Sequence, residues 1–205
     1  MCLKTYPSEV TVFWKKRNVI AHSERCYLRL PVIRDYTDWV NLRRESEDFL
    51  TPWEPERDRN FYSMGAFKAR VKWSKKSFKE LSALPTFIFS IEDGRLLGAV
   101  TLDNLKKGAS RSGSVGYWVG KPYARNGYMT EALNAIKIKA FNNLNISRLE
   151  AATLPDNHAS RRLLEKVGFK YEGVAQSYLQ IDGRWRNHVM YSLLRNDRRG
   201  RPDRK

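Results

Sequence analysis

Tyr117-Trp118-Val119-Gly120-Lys121-Pro122-Tyr123-Ala124-Arg125-Asn126-Gly127-Tyr128-Met129-Thr130-Glu131-Ala132-Leu133 joins an apolar strand end to an amphipathic helix through a turn that carries a central glycine. The first N–H groups of a helix have no intrahelical partner, and the macrodipole places roughly half a positive charge at that end, so the junction can cradle a pyrophosphate. Gly127 supplies the close approach. A β-carbon there pushes an anion away from the amides, and glycine takes positive φ in the turn without strain. Arg125 and the Thr130 hydroxyl add donors. The same residues also fit an ordinary strand-turn-helix connection, and the rest of the chain decides between the two.

Working outward, Met129, Leu133, Ile136, Ala140 and Leu144 recur at helical spacing, so one face of this helix packs on a sheet. Residues 148–153 read as the next strand, parallel to the first because a helix carries the crossover. Asp156 or Asn157 can cap a short helix bearing Leu163, Leu164 and Val167 before a Gly168 stop. Residues 170–180 and 189–194 then pair antiparallel across Asp182-Gly183, and residues 87–91 and 96–102 form a hairpin around Gly94. Further upstream, residues 27–32 read as a first strand and residues 34–44 as a helix under a polar cap. Two prolines in Phe49-Leu50-Thr51-Pro52-Trp53-Glu54-Pro55 argue for a loop, packed on the domain or lining a cleft. Residues 62–81 read as a helix with Met64, Phe67, Val71 and Phe78 on one stripe and the basic residues toward solvent. The expected class is α/β with a mixed sheet.

At 205 residues the chain suits one domain with a substantial core. Cys2 and Cys26 have no metal-like spacing and point to a reducing compartment rather than a disulfide scaffold. No stretch resembles a signal peptide or a membrane span, which makes a cytoplasmic protein the expectation. The 38 Lys and Arg against 22 Asp and Glu give a formal charge of +16, a field that favours acidic partners. Lys68, Arg70, Lys72, Lys75, Lys76 and Lys79 form one basic cluster, read as a solvated helix face. Arg195, Arg198, Arg199, Arg201, Arg204 and Lys205 form another, read as a disordered arm. Both can touch RNA phosphates. No zinc-finger, helix-turn-helix or RNA-recognition signature accompanies them, so the charge supplies steering without sequence readout.

Two separated elements, the turn at residues 124–129 and Leu154-Pro155-Asp156-Asn157-His158-Ala159-Ser160-Arg161-Arg162-Leu163-Leu164-Glu165-Lys166-Val167-Gly168-Phe169, together resemble the acetyl-CoA-binding core of the GNAT superfamily of N-acetyltransferases. The loop at residues 49–55 and the segment at residues 172–189 are similar to the ribosomal-protein-alanine N-acetyltransferase branch, the RimJ type. The resemblance implies a mixed, mostly antiparallel twisted sheet, splayed at a central parallel pair and flanked by helices. It divides the chain into a basic extension at residues 1–23, a single acetyltransferase domain at 24–195 and a basic tail at 196–205. It also implies that the pantetheine arm of acetyl-CoA pairs with backbone groups of Trp118 and Val119. The pyrophosphate then sits over Arg125, Asn126, Gly127, Tyr128, Met129 and Thr130, and Asn157 bonds the arm or acts only as a helix cap. The turn departs from the family at Ala124 and Met129, which removes a side-chain donor, and Leu164 stands where many relatives carry a tyrosine acid.

Acetyl transfer needs a neutral amine, a polarised thioester and a proton for the leaving thiolate. An α-amine with a pKa near ~8 is already partly neutral at pH 7, whereas a lysine near about 10.4 needs far more help. A weakly armed site therefore suits an N-terminal amine attacking directly, with catalysis from alignment and backbone donors. Ser160, one helical turn after Asn157, is the candidate acid and also a cofactor contact. No residue stands out as the base: Glu150, on the next strand, and Asp103 are the reserve candidates, and proton loss through ordered water is an equal alternative. His158 and His188 show no partner in the sequence. In the family the acceptor end is flanked by the positions of Phe49, Trp53, Glu54, Tyr178, Asp182 and Trp185. The expected acceptor is the N-terminus of a ribosomal protein. Contact with rRNA would guide the enzyme and weaken steeply with salt, and the protein is expected to be a monomer or weak dimer. The rival readings are an acetyltransferase for a small amine or a lysine, and a noncatalytic ribosome- or RNA-binding protein on the same fold.

Overall fold

Residues 19–196 are described by a computed structural model. Residues 1–18, with Cys2 and most of the expected extension, and residues 197–205, with most of the basic tail, lie outside the described residues. The strands are β1 (Ala21–His22), β2 (Cys26–Arg29), β3 (Leu84–Ser90), β4 (Leu96–Asp103), β5 (Ser112–Val119), β6 (Arg148–Thr153), β7 (Lys170–Ile181) and β8 (Arg184–Leu194). The helices are α1 (Tyr36–Glu45), α2 (Glu47–Leu50), α3 (Met64–Glu80), α4 (Tyr128–Asn143) and α5 (His158–Val167). One sheet runs in the order β1-β2-β3-β4-β5-β6-β8-β7, and every neighbouring pair is antiparallel except β5 with β6. This is the mixed, mostly antiparallel sheet flanked by helices that the resemblance implies. β1 pairs with β2 through Ala21 and Leu28, so the sheet reaches back across the boundary expected at residue 24.

Both faces of β3 are covered because its residues alternate between two cores. Leu84 and Ile88 pack with Met129, Leu133 and Ile136 of α4, and Leu164 and Val167 of α5 join the same core. Phe87 and Phe89 pack with Trp39 of α1 and Phe67 and Val71 of α3. The rings of Trp39 and Phe67 lie 5.0 Å apart. Gly98 of β4 crosses under β5 so closely that a β-carbon there would lie 2.2 Å from the Trp118 carbonyl oxygen. Only glycine permits that approach.

Three sequence expectations change. The first strand stops at Arg29 rather than continuing to residue 32, because the Arg29 guanidinium turns to a bidentate pair with Asp35, both bonds 2.7 Å long and both side chains buried. Asp35 also accepts from the Val32 amide at 2.8 Å, which bends the chain into a 3₁₀ turn at Ile33–Asp35. Residues 49–53 of the segment expected as a loop are helical, with α2 followed by a 3₁₀ turn at Thr51–Trp53. Pro52 sits in the first turn of that helix, where its missing N–H costs nothing. On α3, Lys68, Lys72, Lys75, Lys76 and Lys79 are exposed as expected, but Arg70 is half-buried beside Trp39.

Candidate active site

β5 and β6 pair only at Ser112 with Arg148, Gly113 with Leu149 and Ser114 with Glu150. Beyond Ser114 they part, β5 staying with β4 to Val119 and β6 with β8 to Thr153. The inner edge of β5 therefore offers backbone donors and acceptors to any extended molecule that enters the wedge. Trp118 and Val119 lie on this edge, and the Trp118 ring is held by the Arg43 guanidinium 4.7 Å above it.

At the mouth of the wedge the chain turns through Lys121–Tyr123 into α4. Arg125 (φ 65°) and Gly127 (φ 84°) both take left-handed backbone, and no side chain caps the helix that starts at Tyr128. The leading amides, including those of Tyr128, Met129 and Thr130, are thus free of intrahelical partners. Met129 is buried in the core, so it brings only its backbone to this cradle. Arg25, which the sequence did not single out, braces the turn. Its Nη2 donates to the Asn126 carbonyl at 2.9 Å, its Nε donates to Glu131 at 2.6 Å, and it covers the Tyr128 ring at 4.6 Å. Burial alone would raise the Glu131 carboxyl, but hydrogen bonds from Ser23 and Arg25 outweigh it and hold the group ionised.

Across the wedge stands α5. Asn157 caps it, with Oδ1 accepting from the Ser160 amide at 3.0 Å, and the Asn157 side-chain NH₂ makes no hydrogen bond among the described residues. The cap and a ligand contact are therefore compatible. The Ser160 Oγ lies 2.7 Å from the Tyr117 hydroxyl, so a strand and a helix meet across the gap. Burial pushes Tyr117 up to about 12, with the Ser160 hydrogen bond opposing, which keeps it a neutral phenol. Tyr117 lay in the decisive stretch, yet nothing in the sequence tied it to Ser160.

Neither candidate base touches the Tyr117–Ser160 pair. Leu149 and Ala151 are buried under α4 and α5, so alternation turns Glu150 to the opposite face of the sheet, where Arg148 Nε bonds it at 2.7 Å. Asp103 accepts from the Asn104 amide at 2.8 Å. His158 is exposed; His188 is buried, with Nδ1 3.0 Å from the Arg186 carbonyl. Leu164 is in the core. Burial raises the Cys26 thiol to about 11, which removes it as a nucleophile near neutral pH.

On the face opposite α5, a cavity of about 420 Å³ opens beside Gly116, Tyr117 and Trp118 under α1, α3 and residues 54–61. Glu54 lines it, gripped by Arg43 and bonded by Arg57 at 3.0 Å. Burial would raise the Glu54 carboxyl; the two guanidiniums overcome that and hold it low. The Asp182 amide donates to the Glu54 carbonyl at 3.1 Å, so the β7–β8 turn docks on this loop and the two expected acceptor segments do meet. Phe49, Trp53, Tyr178 and Trp185 are exposed and do not line the cavity. Arg43, Arg57 and Arg70, none of them singled out for the site from sequence, line it instead.

A sheet that opens at its one parallel pair onto an uncapped, glycine-led helix is built to take an extended molecule with an anionic tail between its strands, and that is the class of protein this fold and site define. The family profile described as acetyltransferase (GNAT) domain matches residues 25–170, and the chain belongs to that family of acetyltransferases. It is 32% identical over 175 residues to the [Ribosomal protein uS5]-alanine N-acetyltransferase of Escherichia coli (strain K12), covering 85% of this chain and 90% of that protein. It is 30% identical over 171 residues to the probable N-acetyltransferase YjcK of Bacillus subtilis (strain 168), covering 83% of this chain and 94% of that protein. Among solved structures, Mycobacterium smegmatis RimJ in complex with CoA-disulfide superposes with a TM-score of 0.79 at 31% identity, covering 83% of this chain and 82% of that chain. The similarity thus runs to the RimJ-type branch. No helix among the described residues is long and apolar enough to cross a membrane.

Proposed function

We propose that this enzyme transfers an acetyl group from acetyl-CoA to an N-terminal α-amine, that of a ribosomal protein, by direct attack within a ternary complex. The observation that carries this reading is the wedge itself: an open β5 edge leads from the uncapped start of α4 to the Tyr117–Ser160 pair, with the arginine-lined cavity on the far face. These residues suit acetyl-CoA, whose pyrophosphate matches the free amides at residues 128–130 and whose extended arm matches the strand edge. When bound, it supplies an activated acetyl thioester. Trp118 and Val119 would align the arm, the Asn157 NH₂ would fix it, and Ser160 would hold the proton needed at sulfur. The buried Cys26 favours direct attack over an enzyme-bound acyl group.

The cavity sets Arg43, Arg57 and Arg70 against Glu54, Glu56 and Asp58, a balanced set that gives a multiply charged polyamine or aminoglycoside no net attraction. The exposed lysines of α3, with the +16 charge, give rRNA a surface to attract the enzyme. Intact-mass analysis of candidate ribosomal proteins and of alanine-led peptides after incubation with acetyl-CoA tests the reading. A single acetyl group on the α-amine is expected; acetylation of lysines or polyamines alone would refute it. Absence of acetyl-CoA binding would favour the noncatalytic alternative.

Gly127→Ala is expected to weaken acetyl-CoA about tenfold by calorimetry. Left-handed backbone costs an L-residue roughly 1–2 kcal/mol, and the new β-carbon would lie 3.1 Å from the Arg25 Nη2 that braces the cradle. Gly94→Ala is the control. It carries a similar φ of 72° with nothing within 4 Å, so it should lower stability and leave the affinity intact.

A further inference from the structure

The cavity beside Trp118 contains a cation that no carboxylate among the described residues bonds. Arg43 and Arg57 share Glu54, and Arg57 also reaches Glu47 at 2.9 Å. The Arg70 guanidinium has neither an ion pair nor a hydrogen bond among the described residues. Its guanidinium is held only by aromatic faces, 5.2 Å from the Trp39 ring and 5.6 Å from Phe61. Burial, and then the neighbouring Arg43, lower its proton affinity, with the Glu54 carboxylate opposing them only in part. The deeper Arg43 adds a buried Nε with no partner. The carboxylates that balance this charge on paper, Glu56 and Asp58, are exposed at the rim. A half-buried guanidinium with its N–H fork unused, lining a cavity that reaches Gly116, Tyr117 and Trp118 of β5, is a receptor for a planar anion.

We infer that the acceptor carries a carboxylate that docks on Arg70, which makes the substrate a peptide N-terminus with Asp or Glu within its first few residues. The inference rests on the proposed α-amine acetylation and narrows it. Arg70 would hold the acidic side chain in the cavity while the amine reaches toward the β5 edge at Gly116 to Trp118. Because a charged hydrogen-bonded pair that forms only with the acidic peptide discriminates against the neutral one, Arg70 sets specificity and takes no part in the acetyl transfer itself.

The test uses the full chain and alanine-led peptides that differ only by Glu or Gln at the second, third or fourth residue. Acetylation is followed by intact mass, and peptide binding by calorimetry in the presence of CoA. At one of these positions the wild type should favour Glu over Gln by roughly ten- to a hundredfold in kcat/KM. Arg70→Gln should erase that preference, with acetyl-CoA titration verifying its fold, and Arg70→Lys should keep part of it. Equal turnover of Glu and Gln peptides at all three positions by the wild type, or a preference that survives in Arg70→Gln, would overturn the inference while leaving α-amine acetylation standing. Arg70-dependent binding of the Glu peptide without acetylation would do the reverse.

Discussion

Ser160→Ala is expected to lower kcat about 100- to 10,000-fold, the range for losing a positioned proton donor, while acetyl-CoA affinity changes little. The substitution is clean because the α5 cap runs through the Ser160 backbone amide, which alanine retains. Tyr117 stays protonated through the working range, so it can donate to the Ser160 Oγ and leave the serine proton directed at the departing sulfur. Tyr117→Phe removes only the orienting bond and should cost roughly tenfold, the value of one hydrogen bond. The pH profile follows. With Tyr117 at about 12, kcat/KM should rise as the acceptor amine loses its proton and stay level to pH ~10. A Ser160→Ala enzyme within a few-fold of wild type would reduce the pair to a structural contact.

Asp35→Ala should destabilise the fold by roughly 3–5 kcal/mol, the cost of leaving a buried charge without its partner. Arg29 is buried, lies 4.0 Å over the Phe89 ring, and already has an unbonded Nε. Without Asp35 only the Leu30 carbonyl, at 2.9 Å, remains to it, and the Val32 amide loses its acceptor as well. In urea the midpoint should fall by ~1–2 M. The double replacement Arg29→Met with Asp35→Leu should recover most of the loss, since apolar residues of similar volume fill such sites without desolvation cost. A single variant as stable as wild type would mean that water reaches the pair.

Much of the local structure of the candidate cofactor half is legible in the sequence because it is contiguous. Strand end, glycine turn and helix start are contiguous from Tyr117 to Leu133, and the Asn157 cap follows from one residue type before an apolar helix. The proposed acceptor half is assembled from α1, α3, the loop and β5, and no short window shows it. Arg70 was lost in a run of lysines, although Phe67, Val71, Ser74 and Ser77 are buried on the same helix and position 70 falls on their stripe. Arg43 hides in the same way, one turn after the buried Trp39. Tyr117 needed the sheet to part before its hydroxyl could reach Ser160, a tertiary event without a local signal. The helical turn at Thr51–Trp53 has no clear sequence signal, because proline breaks a helix interior but suits a helix start, and only the fold shows which position Pro52 takes.

The central claim is that the parted strands and the uncapped start of α4 receive acetyl-CoA. Hydrogen exchange with and without saturating acetyl-CoA tests it most directly. The account predicts slowed exchange at amides of residues 115–119 on the free edge of β5 and at Tyr128, Met129 and Thr130, with little change in β2 and β3. Saturated binding that leaves these amides unprotected, or that protects α3 and residues 54–61 instead, would contradict it.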